Sequence, residues 1–263
     1  MATPRTSTGG SRARKPASNR TLSIDIGGTG LKASVLDASG HMEHERVRVD
    51  TPYPLAPDRL TTALLTLIEP LPPFDRVSAG FPGMVRQGKV LTAPHFVSPK
   101  GPEGKPSPEL VRAWSGFDLR SALATALGKP VRVANDADMQ GAAVVKGEGL
   151  ELVATLGTGV GTAVFWHGQV TPHLELAHHP FRHDETYNEQ LGDAARKRIG
   201  GKKWNQRVRL MIDVLHGLVY FDHLYIGGGN SVHVTGDLGA DVSLVDNNAG
   251  VLGGIRLWEH DHL

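Results

Sequence analysis

Two short glycine–threonine turns, one in each half of the chain, constrain it most. The first is Ile26-Gly27-Gly28-Thr29-Gly30, between the strand-like runs TLSIDI (21–26) and LKASVLD (31–37). The second is Leu156-Gly157-Thr158-Gly159-Val160-Gly161, inside ELVATLGTGVGTAVFWHGQV (151–170). Alternating apolar and polar residues with β-branched side chains predict strands on both sides of each turn. Helical patterns follow each hairpin. A chain that twice opens with strand, turn and strand and then adds helices reads as α/β, two lobes with a cleft between them.

The remaining pattern fills in that frame. RVRVDT (46–51) predicts a third strand, and apolar positions 60, 64, 65 and 68 predict a helix over 58–69 with Asp58 as its N-cap. Pro70, Pro72 and Pro73 end it. RVSAGFPG runs as a strand into a tight turn, and 94–108, rich in Pro, Gly and Lys, reads as a long loop. A helix near 117–127, the strand VRVAN, a helix over 136–146, an amphipathic helix over 204–220, the strand HLYI and a terminal helix complete the order. The expected organisation is a disordered basic tail at 1–20, a first lobe over 21–134 and a second over 135–247. A C-terminal helix over about 248–263 is expected to pack back on the first lobe.

Composition excludes several classes. Lys and Arg number 28 against 27 acids, a net charge of +1, so the whole chain is not a polycation. There is no cysteine, which removes disulfides, thiolate zinc sites and a thiol nucleophile. No apolar run is long enough to span a bilayer. A cytoplasmic protein with no membrane and no nucleic-acid partner is the expectation. The tail, with Arg5, Arg12, Arg14, Lys15 and Arg20 and no acid, reads either as a solubilising segment or as a polyanion-binding arm.

The chemistry-bearing residues cluster at the turns. In Asp25-Ile26-Gly27-Gly28-Thr29-Gly30-Leu31-Lys32, bare backbone N–H groups, the Thr29 hydroxyl and the Lys32 cation suit phosphate oxygens, and Asp25 suits Mg²⁺ held through water. The same segment also reads as a hairpin turn needing φ > 0. Gly157, Thr158, Gly159 and Gly161 repeat the phosphate chemistry. Gly227, Gly228 and Gly229, after a strand, leave backbone open to a flat group or a phosphate. In Val133-Ala134-Asn135-Asp136-Ala137-Asp138 a strand meets a helix. Asp136 or Asn135 reads as an N-cap; alternatively Asp136 is a base that takes a proton from an alcohol while Asn135 holds a second hydroxyl. Asp138, two residues on, points elsewhere. Glu175 and His178 in Glu175-Leu176-Ala177-His178 converge on neighbouring hydroxyls of a polyol, or belong to an ordinary surface loop.

DIGGTGLKASVLD, GFPGMV at 80–85, VANDAD at 133–138, TLGTGVGTA at 155–163, ELAH at 175–178 and IGGGNS at 226–231 occur in this order. From residue 21 onward the chain resembles the ROK family of sugar kinases, within the actin-like ATPase superfamily. It is most similar to the polyphosphate glucokinase branch: it is short, it lacks the histidine–cysteine zinc motif, and its segment after the histidine is basic (Arg196, Lys197, Arg198, Lys202, Lys203).

The resemblance implies a two-lobed fold, a homodimer, and phosphoryl transfer from polyphosphate or ATP with Mg²⁺, without zinc, to the 6-hydroxyl of glucose or a related hexose. It implies Asp136 as base and Asn135, Glu175, His178 and Gly83 at the sugar. Asp25, Gly27, Gly28, Thr29 and Lys32 match the first phosphate motif, Gly157, Thr158, Gly159 and Gly161 the second, and Gly227, Gly228 and Gly229 the nucleotide side. Two positions depart from the family pattern. Ala177 stands where the family has glycine, and His95, in Ala93-Pro94-His95-Phe96, stands where it commonly has asparagine. An ATP-dependent kinase for another hexose and a non-catalytic sugar sensor are the alternatives.

Overall fold

The computed structural model describes residues 19–101, 104–245 and 249–259. The basic tail expected over 1–20 lies outside them apart from Asn19 and Arg20. The first sheet takes strands β1 (Thr21–Ile26), β2 (Gly30–Leu36), β3 (Val47–Asp50), β4 (Arg76–Phe81) and, after the two-residue strands β5 (Val85–Arg86) and β6 (Lys89–Val90), β7 (Val131–Asn135). Its order is β3-β2-β1-β4-β7. The second sheet holds β8 (Leu150–Leu156), β9 (Val160–Trp166) and β10 (Gln169–Val170). A small hairpin, β11 (Pro180–Arg182) and β12 (Glu185–Thr186), follows, and then β13 (His223–Gly227) and β14 (Val242–Leu244) return to the sheet in the order β10-β9-β8-β13-β14. In each sheet an antiparallel hairpin is extended by an antiparallel strand on one side and by two parallel strands on the other.

Sequence alternation explains the layers. Along β1, Leu22, Ile24 and Ile26 point into the core with Leu60 and Leu64 of α1 (Pro57–Ile68), Trp114 of α2 (Pro108–Trp114) and Leu119 of α3 (Leu119–Leu127). The opposite face carries small polar residues, because another helix lies close against it. Ser78 Oγ donates to the carbonyl of Gly254 in α8 (Ala249–Arg256), at 2.5 Å, and a Cβ on Gly254 would run into Ser23. Behind the second sheet, the core is built from Leu152, Leu156 and Ile226 against Trp204, Val208 and Met211 of α7 (Gly201–Val219). Between the sheets, α4 (Asp136–Gly141) packs on α8, on β4 and on β8 and β9, with Ala137, Met139 and the C-cap Ala142 in the core there.

Several local expectations change. The first helix starts at Pro57 with Ala56 as N-cap; Asp58 sits inside its first turn, where a carboxylate favours the helix dipole without capping. The long loop closes into α2, because Pro108 occupies a position where its missing N–H costs nothing. Two positive-φ residues, Gln87 and Gly88, fold back the unexpected hairpin β5–β6. The helix expected over 136–146 ends at Gly141. The basic stretch before the long helix is broken into α5 (Tyr187–Leu191), opened by a Thr186–Glu189 capping box, and α6 (Asp193–Ile199).

Candidate active site

The two glycine–threonine turns face each other across one cleft of about 410 Å³. The first turn closes with Gly27 N–H on the Gly30 carbonyl at 3.1 Å, the second with Gly157 N–H on the Gly159 carbonyl at 2.9 Å. Both are held from behind. Thr51 Oγ1 donates to the Gly27 carbonyl (2.6 Å) and Tyr53 OH to the Gly28 carbonyl (2.7 Å). On the other side, Asn188 Oδ1 accepts from Val160 N–H (2.7 Å), while Asn230 Nδ2 and Asp193 N–H both donate to the Gly157 carbonyl (2.9 Å each). These supports lie 24 to 73 residues away in sequence, and apart from Asn230, which stands in the IGGGNS run, they carry no motif of their own, so sequence reasoning passed over them.

Gly27, Gly28, Thr29 and Lys32 line the cleft opposite Gly157, Thr158, Gly159 and Gly161, with Asp25 beside them. Gly228 and Gly229 also line it; Gly227 does not, because it ends β13 buried beneath Val245. Gly228 has φ +84°, and a Cβ there would strike the Leu156 backbone, so the third glycine cluster can approach the second turn only as glycine. Lys32 Nζ lies 2.9 Å from Asp25 Oδ2, with about a third of each side chain exposed (33% and 32%), so this cation meets its own carboxylate before any phosphate.

At the floor, β7 runs into α4. Asn135 is the N-cap: its buried side chain accepts from Ala137 N–H (2.7 Å) and donates to the Gly83 carbonyl (3.0 Å) in the turn after β4. Asp136 is thereby released from capping, although Ala137 N–H also reaches its Oδ1 at 2.9 Å. Burial, reinforced by the nearby Asp25 carboxylate and opposed by that N–H, pushes the Asp136 carboxyl up to about 7. Glu175, His178, Gly83 and His95 line the same cleft. Burial disfavours the Glu175 carboxylate, yet His173, the Ala177 N–H (2.9 Å) and His178 outweigh it and hold its pKa below the usual value. Burial and the neighbouring His178 lower the pKa of His95, against the Glu175 carboxylate, which favours its charged form.

Sequence reasoning did not single out His173. It lies under Glu175, with its Nδ1 2.9 Å from Asp138 Oδ1. Asp138 does turn away from the cleft, and its partner is this imidazole. Among the described residues no group of three or more His, Asp or Glu is arranged to hold a metal ion, and no helix is long and apolar enough to cross a membrane.

Two five-stranded sheets of matching order with a cleft between them define a two-lobed α/β protein of the actin-like ATPase fold. The family model of the ROK family matches residues 21–181, and the chain belongs to that family. It is similar to the polyphosphate glucokinase of Mycobacterium tuberculosis (strain CDC 1551 / Oshkosh), 26% identical over 243 residues that cover 86% of this chain and 84% of that one. The crystal structure of an inorganic polyphosphate/ATP-glucomannokinase from Arthrobacter sp. strain KM matches with a TM-score of 0.74 at 26% identity, covering 92% of this chain and 99% of the other. Over a shorter stretch, 57% of this chain and 48% of the relative, it is 31% identical to an N-acetylmannosamine kinase of Salmonella newport (strain SL254).

Proposed function

We propose that the protein is a hexokinase that transfers a phosphoryl group from polyphosphate or ATP to the 6-hydroxyl of glucose. The observation that carries this reading is the carboxylate of Asp136, which lines the cleft between the two glycine–threonine turns, where burial and the Asp25 charge push it up to about 7. A base poised near the working pH takes a proton from an alcohol most effectively.

The sugar would lie against Glu175, His178 and the Gly83 turn, with Asn135 buttressing that turn through its bond to the Gly83 carbonyl. The 6-hydroxyl oxygen attacks the terminal phosphorus in line, the bond to the donor's bridging oxygen breaks, and the hydroxyl proton passes to Asp136. The turn amides and the Thr29 and Thr158 hydroxyls would hold the phosphoryl oxygens, so that catalysis is mainly positioning and charge stabilisation. Asp25 fits a Mg²⁺ held through water: its carboxylate lines the cleft beside the first turn, and this ion usually takes one or two carboxylates plus the donor's phosphates. When bound, the ion supplies neutralisation of donor charge.

The donor is read from the basic segment. Arg196 and Lys197 are paired to Asp193 (2.8 and 2.6 Å) at the start of α6, whose first N–H bonds the second turn, while Lys202 and Lys203 are exposed. A polyphosphate chain leaving the second turn would meet these cations. We also propose a homodimer and a cytoplasmic location, as the resemblance implies.

The test is replacement of Asp136 by Asn, assayed with glucose and each donor alone at two salt concentrations. Glucose affinity should hold while turnover drops by about 10²–10⁴-fold. Near wild-type turnover overturns the base assignment. Activity with ATP alone removes polyphosphate as donor, and a panel with mannose and N-acetylmannosamine fixes the hexose.

A further inference from the structure

His173 is an imidazole that the proposed reaction does not use. Its side chain is 4% exposed. It joins two segments that meet only in the folded protein. Nδ1 lies 2.9 Å from Asp138 Oδ1 on α4, the helix that begins with Asp136. Nε2 is buried without a hydrogen-bond partner among the described residues and lies 3.8 Å from Glu175 Oε2. The other Glu175 oxygen, Oε1, is held by Ala177 N–H at 2.9 Å.

An unpaired buried ring nitrogen 3.8 Å from a carboxylate oxygen is costly as a lone pair and favourable as an N–H. The charged groups around it favour the N–H as well. Asp138, and through the field Asp136, act on the ring from α4, and Glu175 acts from its own segment, with His178 and His95 beyond Glu175.

We infer that His173 is a positioning residue: as an imidazolium it braces Glu175 against the base-bearing helix and fixes that carboxylate for the hydroxyls of the sugar. The inference rests on the kinase reading for its substrate, but the brace itself is a property of the folded cleft. Burial works against the ring's charge, and the hydrogen bond to Asp138 together with the Asp138 and Glu175 charges overrides it, raising His173 from its ordinary 6.5 to about 9. A group raised in this way keeps its stabilising charge below its unfolded value and loses it as pH rises through about 9. Sugar affinity should therefore weaken above that pH, on the opposite side from the Asp136 limb.

The test uses the full-length wild type with His173→Asn, which can keep an N–H toward Asp138 but cannot carry the charge. The ring titration of His173 is followed by NMR, with its signal assigned by loss in the variant. Glucose, mannose and N-acetylmannosamine binding are measured by calorimetry from pH 7 to 10, and steady-state kinetics are run on whichever sugar turns over.

The expected results are a ring midpoint well above 6.5 and about tenfold or more weaker sugar binding in the variant at pH 7, with the KM of the donor unchanged. The wild type should lose sugar affinity through about pH 9, and the variant should not. A ring midpoint at or below 6.5, or equal sugar affinity in both proteins, overturns the inference. Should His173→Asn fail to fold, His173→Gln and the wild-type titration decide it. Sugar binding without phosphoryl transfer overturns the kinase reading and leaves the His173 measurements intact. No binding of any of the three sugars overturns both.

Discussion

The two glycine–threonine turns occupy matching places in two sheets of the same order, yet they differ in charge. At the base of the first turn the cross-strand pair is Asp25 with Lys32; at the corresponding place in the second it is Thr155 with Gly161. The first turn combines a carboxylate, a cation and amides. The second offers amides and hydroxyls alone, and Gly161 is needed because a Cβ would meet Thr155 Oγ1 and the Ala137 methyl. In the proposed reaction the same backbone device would serve two tasks: the first turn would manage charge, including that of a metal-bearing donor, and the second would only cradle oxygens.

Replacing each side of that comparison gives the largest effect. Asp25→Asn should lower turnover by about 10²-fold or more, and Thr155→Ala by no more than about tenfold, measured as kcat with saturating sugar and donor. Equal losses would break the distinction between the turns.

The pH profile sharpens it. Because the Asp136 carboxyl is raised to about 7, its basic form predominates only above that pH, and kcat/KM should rise with pH through it. The Asp25 charge is one cause of that elevation, so Asp25→Asn should move the acid limb to lower pH, whereas Thr155→Ala should leave it in place. A limb that stays put in Asp25→Asn removes the electrostatic link between the first turn and the base.

The supports give the smallest effect. Asn188→Ala leaves the Val160 N–H without its acceptor and should cost about 1–3 kcal/mol in urea denaturation. Tyr53→Phe removes a hydroxyl that donates to the Gly28 and His95 carbonyls, and should cost about 0.5–1.5 kcal/mol. The reverse order would mean that the first turn is the more tightly held of the two.

Much of this site was legible residue by residue. Both turns, the Asp136 carboxylate on a strand-to-helix junction and the Glu175–His178 pair stand in local sequence, and the residues named for them line one cleft, Gly227 apart. The helix starts were less legible. Asp58 has the chemistry of an N-cap, but Pro57 fixes the first turn one residue earlier. The Pro-rich loop hides α2 for a related reason: proline marks a helix start as well as a break. Asn135 and Asp136 are both cap-type residues, and only the side-chain geometry assigns the cap to Asn135.

The sequence alone determined the two hairpins, their glycine turns and the order of elements along the chain, because strand alternation and turn composition are set by neighbouring residues. The tertiary structure decided what those residues became. It carried Tyr53, Asn188 and Asn230 behind the turns, closed α8 over the serine face of the first sheet, and buried Asp136 close enough to Asp25 to raise its pKa. It also brought His173 to Asp138, 35 residues away. Desolvation and the fields of distant charges depend on the whole packed chain, so no local pattern encodes them.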